Sequence, residues 1–312
     1  MEIKNKKVLI TGAGGFIGSH LVEELIKLNA DIFCFLSSND EVANLREIEG
    51  CLDQVKIIYG DLKNYNEIKN AVEGKDIIFH LGALVSVSDS YEKPFDFFET
   101  NSLGTFNLLN ASKMKKLKKI IITSSAEVYG NANGLVDEEF PLHANSPYAA
   151  SKVSAEKFAE SFYFSYCLPV SIVRLFNVFG PRQSLKPIIP SIISKSLKDE
   201  KINIVNLYAK RDFIFVKDVI DAFLKIAESE NSNGEVFNIG NAKVVSIKEI
   251  LDIVERLMNK KIKNLEIKNT NENSEKLLIC NNAKARKILK WEPKTSLEEG
   301  LKECIDYYKT KH

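Results

Sequence analysis

Lys7-Val8-Leu9-Ile10-Thr11-Gly12-Ala13-Gly14-Gly15-Phe16-Ile17-Gly18-Ser19-His20, near the start of the 312-residue chain, joins two periodicities. Residues 7–10 form a short buried-strand pattern, and beyond the glycines Leu21, Leu25 and Leu28 recur at helical spacing. A strand, a glycine turn and a helix in direct succession aim free backbone N–H groups and the positive end of the helix at a pyrophosphate. In that reading Gly12 permits the tight turn, Gly15 the close approach of phosphate and Gly18 close helix packing, with Phe16 and Ile17 carried on the same turn. A glycine trio alone is a turn. The strand before it and the helix after it make it a dinucleotide fingerprint.

The next strand pattern, Asp31 to Leu36, ends in Ser37-Ser38 and not in the acidic residue that holds an adenosine ribose in NAD sites. With no carboxylate there a 2′-phosphate is tolerated, and Ser37, Ser38 and Arg46 are candidates to bind it. NADP(H) is therefore favoured over NAD, although Arg46 reads equally as solvated helix surface. A third strand, Lys56 to Tyr59, runs into Gly60-Asp61-Leu62. Asp61 there either meets the adenine amine or caps the next helix, and Leu62 adjoins it on the cofactor side. Asp76 to Ala83 is a fourth strand whose end brings Leu81 and Ala83 against the cofactor, with Ser86 beyond it as a candidate substrate contact. His80 reads as a packed strand residue.

Lys119-Ile120-Ile121-Ile122-Thr123 makes a fifth strand, and Ser124-Ser125-Ala126-Glu127 follows it, where open α/β sheets place their sites. Ser124 or Ser125 is positioned to hydrogen-bond a substrate hydroxyl about to lose its proton. Asn145-Ser146-Pro147 starts a helix, with Ser146 as N-cap and Pro147 at the first helical position. Tyr148 and Lys152 then lie four residues apart on one face. A phenol ordinarily titrates near pH 10, and an ammonium group one turn away together with a cationic nicotinamide ring favours the phenolate. The same spacing is common on solvated helices. It gains meaning from the glycine turn and the serines.

Strands alternating with helices through this half predict a doubly wound parallel sheet, a Rossmann α/β fold, over residues 1–175. A smaller C-terminal α/β substrate lobe covers most of 176–312, with part of 211–240 returning to the first domain. Ser191 to Leu197 and Ser246 to Met258 read as helices, Lys201 to Leu207 and Glu235 to Ile239 as strands, and Trp291-Glu292-Pro293-Lys294 as a packing turn before a last helix. With Lys+Arg 43 against Asp+Glu 42, the net charge of +1 gives no footprint for nucleic acid or an anionic membrane. The five cysteines are scattered, which argues against zinc, with no metal expected, and against a disulfide framework. No signal peptide and no run of eighteen apolar residues is read, so a cytoplasmic location is expected.

The glycine turn, the serines, Tyr148-Ala149-Ala150-Ser151-Lys152, Arg174-Leu175-Phe176-Asn177-Val178-Phe179-Gly180-Pro181-Arg182 and Arg211-Asp212-Phe213 occur in one order. That order resembles the extended short-chain dehydrogenase/reductases acting on nucleotide sugars, nearly end to end. The resemblance implies a Ser-Tyr-Lys catalytic set, NADP or NAD as cofactor, a nucleotide-diphosphate sugar as substrate and a homodimer paired through two helices per subunit. It further implies that Asn177 lies near the substrate diphosphate, that Arg211 binds phosphate, and that Arg182 borders the substrate. Ala159 to Tyr163, Gly180 to Ser184 and Asn206-Leu207 are most similar to 4,6-dehydratases of N-acetylhexosamine nucleotides. The arginine often found before the Asn273-Ser274-Glu275 stretch is replaced by Thr270 or Asn269.

In this reading Tyr148 takes the proton of the C4 hydroxyl, Lys152 lowers its pKa, and the 4-keto sugar loses its C5 proton to Glu127. Glutamate at 127 fits dehydratases and decarboxylases of the family, whereas 4-epimerases carry a small or hydroxyl residue there. Ala126, where many dehydratases have an aspartic acid, donates nothing, so Glu127 or a water serves the leaving hydroxyl. Glu127 as a cap of the following turn is the plainer alternative. Besides the 4,6-dehydratase, a 4-epimerase, an NADPH-dependent 4-keto reductase and, least favoured, a non-catalytic dinucleotide-binding protein stay open.

Overall fold

The computed structural model describes residues 2–37, 45, 47–262, 264–269 and 277–311. Strands β1 (Lys7–Thr11), β2 (Asp31–Leu36), β3 (Lys56–Tyr59), β4 (Ile77–His80) and β5 (Lys119–Ser125) alternate with helices. The short β6 (Gly134–Val136) precedes the long helix Pro147–Tyr166, and β7 (Val170–Leu175) and β8 (Asn177–Phe179) follow that helix. Then come β9 (Ile202–Asn206), β10 (Lys210–Phe215), β11 (Val236–Ile239), β12 (Val244–Ser246), β13 (Leu265–Asn269) and β14 (Leu278–Cys280).

Seven strands form one sheet in the order β11-β7-β5-β4-β1-β2-β3, with every pairing parallel. The expected Rossmann α/β fold is the observed one. Its Val- and Ile-rich strands are buried because helices cover both faces. On one face Leu21, Leu25, Phe223 and Trp291 pack over β1 and β4. On the other, Ile68, Leu108, Ala159 and Phe162 pack over β5 and β7. The chain order reverses between β1 and β4, which opens a crevice at their carboxyl ends.

The later strands make smaller sheets: β12-β10-β8, β13 beside β9, and β14 beside β6. A separate core, with Ile192, Ile193, Ile250, Val254, Leu301 and Ile305, holds helices Ile188–Leu197, Ile247–Met258 and Leu297–Thr310 against them. Helix Ile188–Leu197 begins before Ser191, because Pro190 fits its first turn, where no N–H is required. Strand β11 and helix Val216–Glu228 belong to the large sheet, while β10 stays with the smaller one. Trp291 is fully buried and donates Nε1–H to the Asp218 carbonyl at 3.0 Å, a packing role.

Candidate active site

A cleft of about 710 Å³ opens at the reversal point. One wall is the glycine turn, where Gly12 has φ +71° and a Cβ would stand 2.8 Å from the Gly82 nitrogen. A Cβ at Gly18 would collide with the Gly12 carbonyl, so only glycine lets helix Phe16–Lys27 start this close to the turn. Gly15 is the N-cap, and no side chain caps the helix. This backbone cradle and positive helix end fit a pyrophosphate. Phe16, Ile17, Ser37, Asp61, Leu62, Leu81 and Ala83 line the same cleft. Asp61 accepts from Lys63 N at 2.9 Å, and the cap of the next helix is Asn64. Ser38 and Arg46 lie outside the described residues.

His80 supports this wall from behind. Its Nδ1 lies 2.8 Å from Thr11 Oγ1 and its Nε2 3.0 Å from Thr105 Oγ1. Thr105 donates to the Asn101 carbonyl and the Thr11 oxygen receives the Gly82 N–H, which fixes Nε2 as the protonated nitrogen. Burial, with a smaller push from the Lys152 charge, takes the imidazole down to about 3. It is a neutral structural residue.

Facing the glycines is helix Pro147–Tyr166, with Ser146 capping it through Ala149 N (3.1 Å) and Pro147 in its first turn. Tyr148 and Lys152 are buried on its inner face and both line the cleft. Lys152 Nζ donates to the Thr123 carbonyl at 3.0 Å. Its ammonium is lowered to about 8 by burial, against the raising influence of Glu156. Burial pushes the Tyr148 phenol up to about 12, a hydrogen bond with Ser125 works the other way, and the Glu127 charge adds to the rise. Burial is the largest of these influences, whereas the lowering read from the sequence rested on a cationic nicotinamide ring together with the Lys152 ammonium.

The two serines separate. Ser125 meets the phenol, while Ser124 donates its hydroxyl to buried Glu156. Glu156 is held by Arg174 through Nε (3.0 and 3.2 Å) and Nη2 (2.8 Å), and Arg174 also donates to Tyr129 Oη at 2.8 Å. Both serines border the cleft, and strand alternation, which turns neighbouring side chains to opposite faces, decides which hydroxyl meets the phenol. Glu127 is accessible to solvent, and the protein packed around it raises its carboxyl while the Arg211 charge opposes the rise.

Asn177 and Arg211 line an adjoining pocket of about 470 Å³ that shares Val178, Gln183 and Pro187 with the larger cleft. Arg182 is turned to the cofactor domain instead, paired with Glu23 and 3.9 Å from Glu47. Ser86 is an N-cap whose hydroxyl accepts from Asp89 N at 3.1 Å. Asn269 bounds β13, and Thr270 and residues 273–275 lie outside the described residues.

Asn101 escaped the sequence reading. It lies in a π-helical turn, Phe98–Leu103, and is almost fully buried. Its amide accepts from Leu84 N (2.9 Å) and donates to Leu84 O and Ser151 Oγ (both 3.0 Å). It thereby ties the loop after β4 to the tyrosine helix. The signal in the sequence was an asparagine three residues before Gly104.

This set, a glycine-cradled cleft beside a serine and a buried tyrosine and lysine, has counterparts in known proteins. Residues 9–304 match the family model described as GDP-mannose 4,6-dehydratase. The chain belongs to that family. The dTDP-D-glucose 4,6-dehydratase of Mus musculus is 33% identical, across 97% of this chain and 89% of its own length. The UDP-glucuronic acid 4-epimerase of Bacillus cereus, crystallised with UDP-glucuronic acid and NAD, superposes with a TM-score of 0.89 at 30% identity, over 98% of this chain and 100% of that one. The UDP-N-acetylglucosamine 4-epimerase of Methanobrevibacter ruminantium M1 gives 0.91 at 30% identity, over 99% and 100%. Membership in this family agrees with the kinship to extended short-chain dehydrogenase/reductases expected from the motifs.

Proposed function

We propose that this member of the dehydratase and epimerase family oxidises a nucleotide-diphosphate sugar at C4 and is a 4,6-dehydratase. The observation that carries the finer reading is the Glu127 carboxyl. Its charge is near enough to the Tyr148 phenol to push it up, and its own carboxyl is held above the ordinary range by burial. Bound NAD(P) supplies the acceptor for hydride from C4 and, once water has left, the donor that returns it to C6 as C5 regains a proton, so that the net change is loss of one water. Ser125 holds the C4 hydroxyl and Tyr148 takes its proton, while Lys152 anchors the ribose and keeps a positive charge beside the phenolate. The resulting ketone acidifies C5–H, and Glu127 removes that proton. Ala126 has none to give, so Glu127 returns the proton to the departing C6 hydroxyl, directly or through water. Asn177 and Arg211 face the diphosphate.

A 4-epimerase is the second reading, favoured by the two structural neighbours of that activity and by Ala126. The serines after β2 support NADP(H), and the NAD of the Bacillus cereus neighbour supports NAD. A paired titration separates them. Phe95, Phe98, Phe158 and Tyr166 are exposed on the helices over 94–112 and 147–166, which supports a homodimer through those helices. Sedimentation gives the mass.

The test is incubation with UDP-, GDP-, dTDP- and CDP-sugars without reductant, read by product mass. Loss of one water is expected. Unchanged mass with altered stereochemistry establishes the epimerase, and turnover only of a keto sugar with NADPH overturns both.

A further inference from the structure

Asp212, between Arg211 and Phe213 on β10, is fully buried, and three backbone N–H groups converge on its carboxylate. Oδ1 accepts from Asn241 N at 2.8 Å, and Oδ2 accepts from Ala242 N and from Cys280 N, each at 3.0 Å. Its backbone carbonyl accepts from Asn177 Nδ2 at 3.1 Å. One residue therefore joins four places in the chain.

Those places are the frame of the pocket beside the cleft. Asn177, Arg211 and Phe213 line that pocket. The turn through Asn241 and Ala242 leads into β12, whose Val245 pairs with Arg211. Cys280 ends β14, which pairs with β6 in the segment that follows Glu127. Ala242 holds φ +59°, a conformation an alanine keeps only when its surroundings enforce it, and the bond from its N–H to Asp212 is one such constraint. An asparagine of the same shape would turn its NH₂ against at least one of the three donors.

We infer that Asp212 is a positioning residue for substrate, setting Arg211 and Asn177 against the Glu127 side of the cleft without touching the ligand. The inference rests on the reading of that pocket as the nucleotide-diphosphate site. It leaves the dinucleotide wall untouched, because none of the Asp212 partners lines the glycine cradle.

The test is calorimetric titration of wild type and Asp212→Asn with UDP, dTDP, GDP and CDP, and separately with NAD and NADP, alongside amide exchange. Asp212→Asn is expected to weaken nucleoside diphosphate binding about tenfold or more, a net loss of one charge-assisted hydrogen bond. Dinucleotide affinity stays within about twofold, and the amides of Asn241, Ala242 and Cys280 lose protection. Equal nucleoside diphosphate affinity in the two proteins overturns the inference, and so does a parallel loss of dinucleotide binding, the mark of a general collapse. Where Asp212→Asn does not fold, Asp212→Glu keeps the charge but displaces both oxygens and carries the same expectations. Failure of wild type to bind any of the four nucleotides overturns the underlying reading of the pocket, and is told apart because no variant enters that result.

Discussion

One wall of the cleft, with Gly12, Gly15 and Gly18, is shaped by side chains that are missing, whereas the other, with Ser125, Tyr148 and Lys152, is shaped by the direction of side chains that are present. The first wall is backbone packed on backbone and at Gly12 and Gly18 leaves no room for an added atom. The second is a set of side chains whose burial sets their charge, from the phenol at about 12 to the ammonium at about 8. A cavity made by backbone shape fails when atoms are added. One made by side chains fails when single functional groups are removed.

The difference is sharpest in Tyr148→Phe, which keeps the buried ring and loses only the hydroxyl. Turnover should fall by about a thousandfold with dinucleotide affinity unchanged, as stopped assays and titration will show. Gly12→Ala is the converse. A residue strained at positive φ and pressed on Gly82 should lower dinucleotide affinity by about a hundredfold in calorimetry, and turnover only through that loss. Ser125→Ala should cost about tenfold or more in kcat, whereas Ser124→Ala should stay within about threefold in kcat. Ser124→Ala should instead lower stability by about 1–2 kcal/mol in denaturant melts, because Glu156 loses a buried donor.

A last effect concerns acid. His80 is held neutral in the fold, at about 3, against about 6.5 in the unfolded chain. The unfolded state therefore binds the extra proton first. The contribution is full above about pH 6.5 and is lost as pH falls toward 3. His80→Gln should flatten that acid limb in melts recorded across the window, and because His80 stands behind Thr11 and Gly82 the wild-type glycine wall should loosen first.

The same contrast explains what was legible beforehand. Strand runs of Val and Ile, a glycine spacing and the Ser146-Pro147 cap are local rules, so the parallel sheet and the tyrosine helix followed from them. Side-chain direction is a tertiary outcome. Arg182 sits in a left-handed turn at φ +69° and pairs with Glu23 on the first helix, 159 residues away, a partner that no spacing announces. Ser86 spends its hydroxyl on its own helix. Asn101 depends on a π-helical turn that follows from no periodicity. The upward direction of the Tyr148 shift follows from depth of burial, which motif spacing does not register.

Single-turnover mixing of Glu127→Gln with the nucleotide sugar that wild type consumes, followed by the near-ultraviolet absorbance of reduced nicotinamide, tests most directly the division of labour between the phenol and the carboxylate. The reduced cofactor should accumulate and persist, with no water lost from the sugar, because Tyr148 still supports oxidation at C4 while nothing removes the proton at C5. Complete dehydration at the wild-type rate in that variant would contradict it.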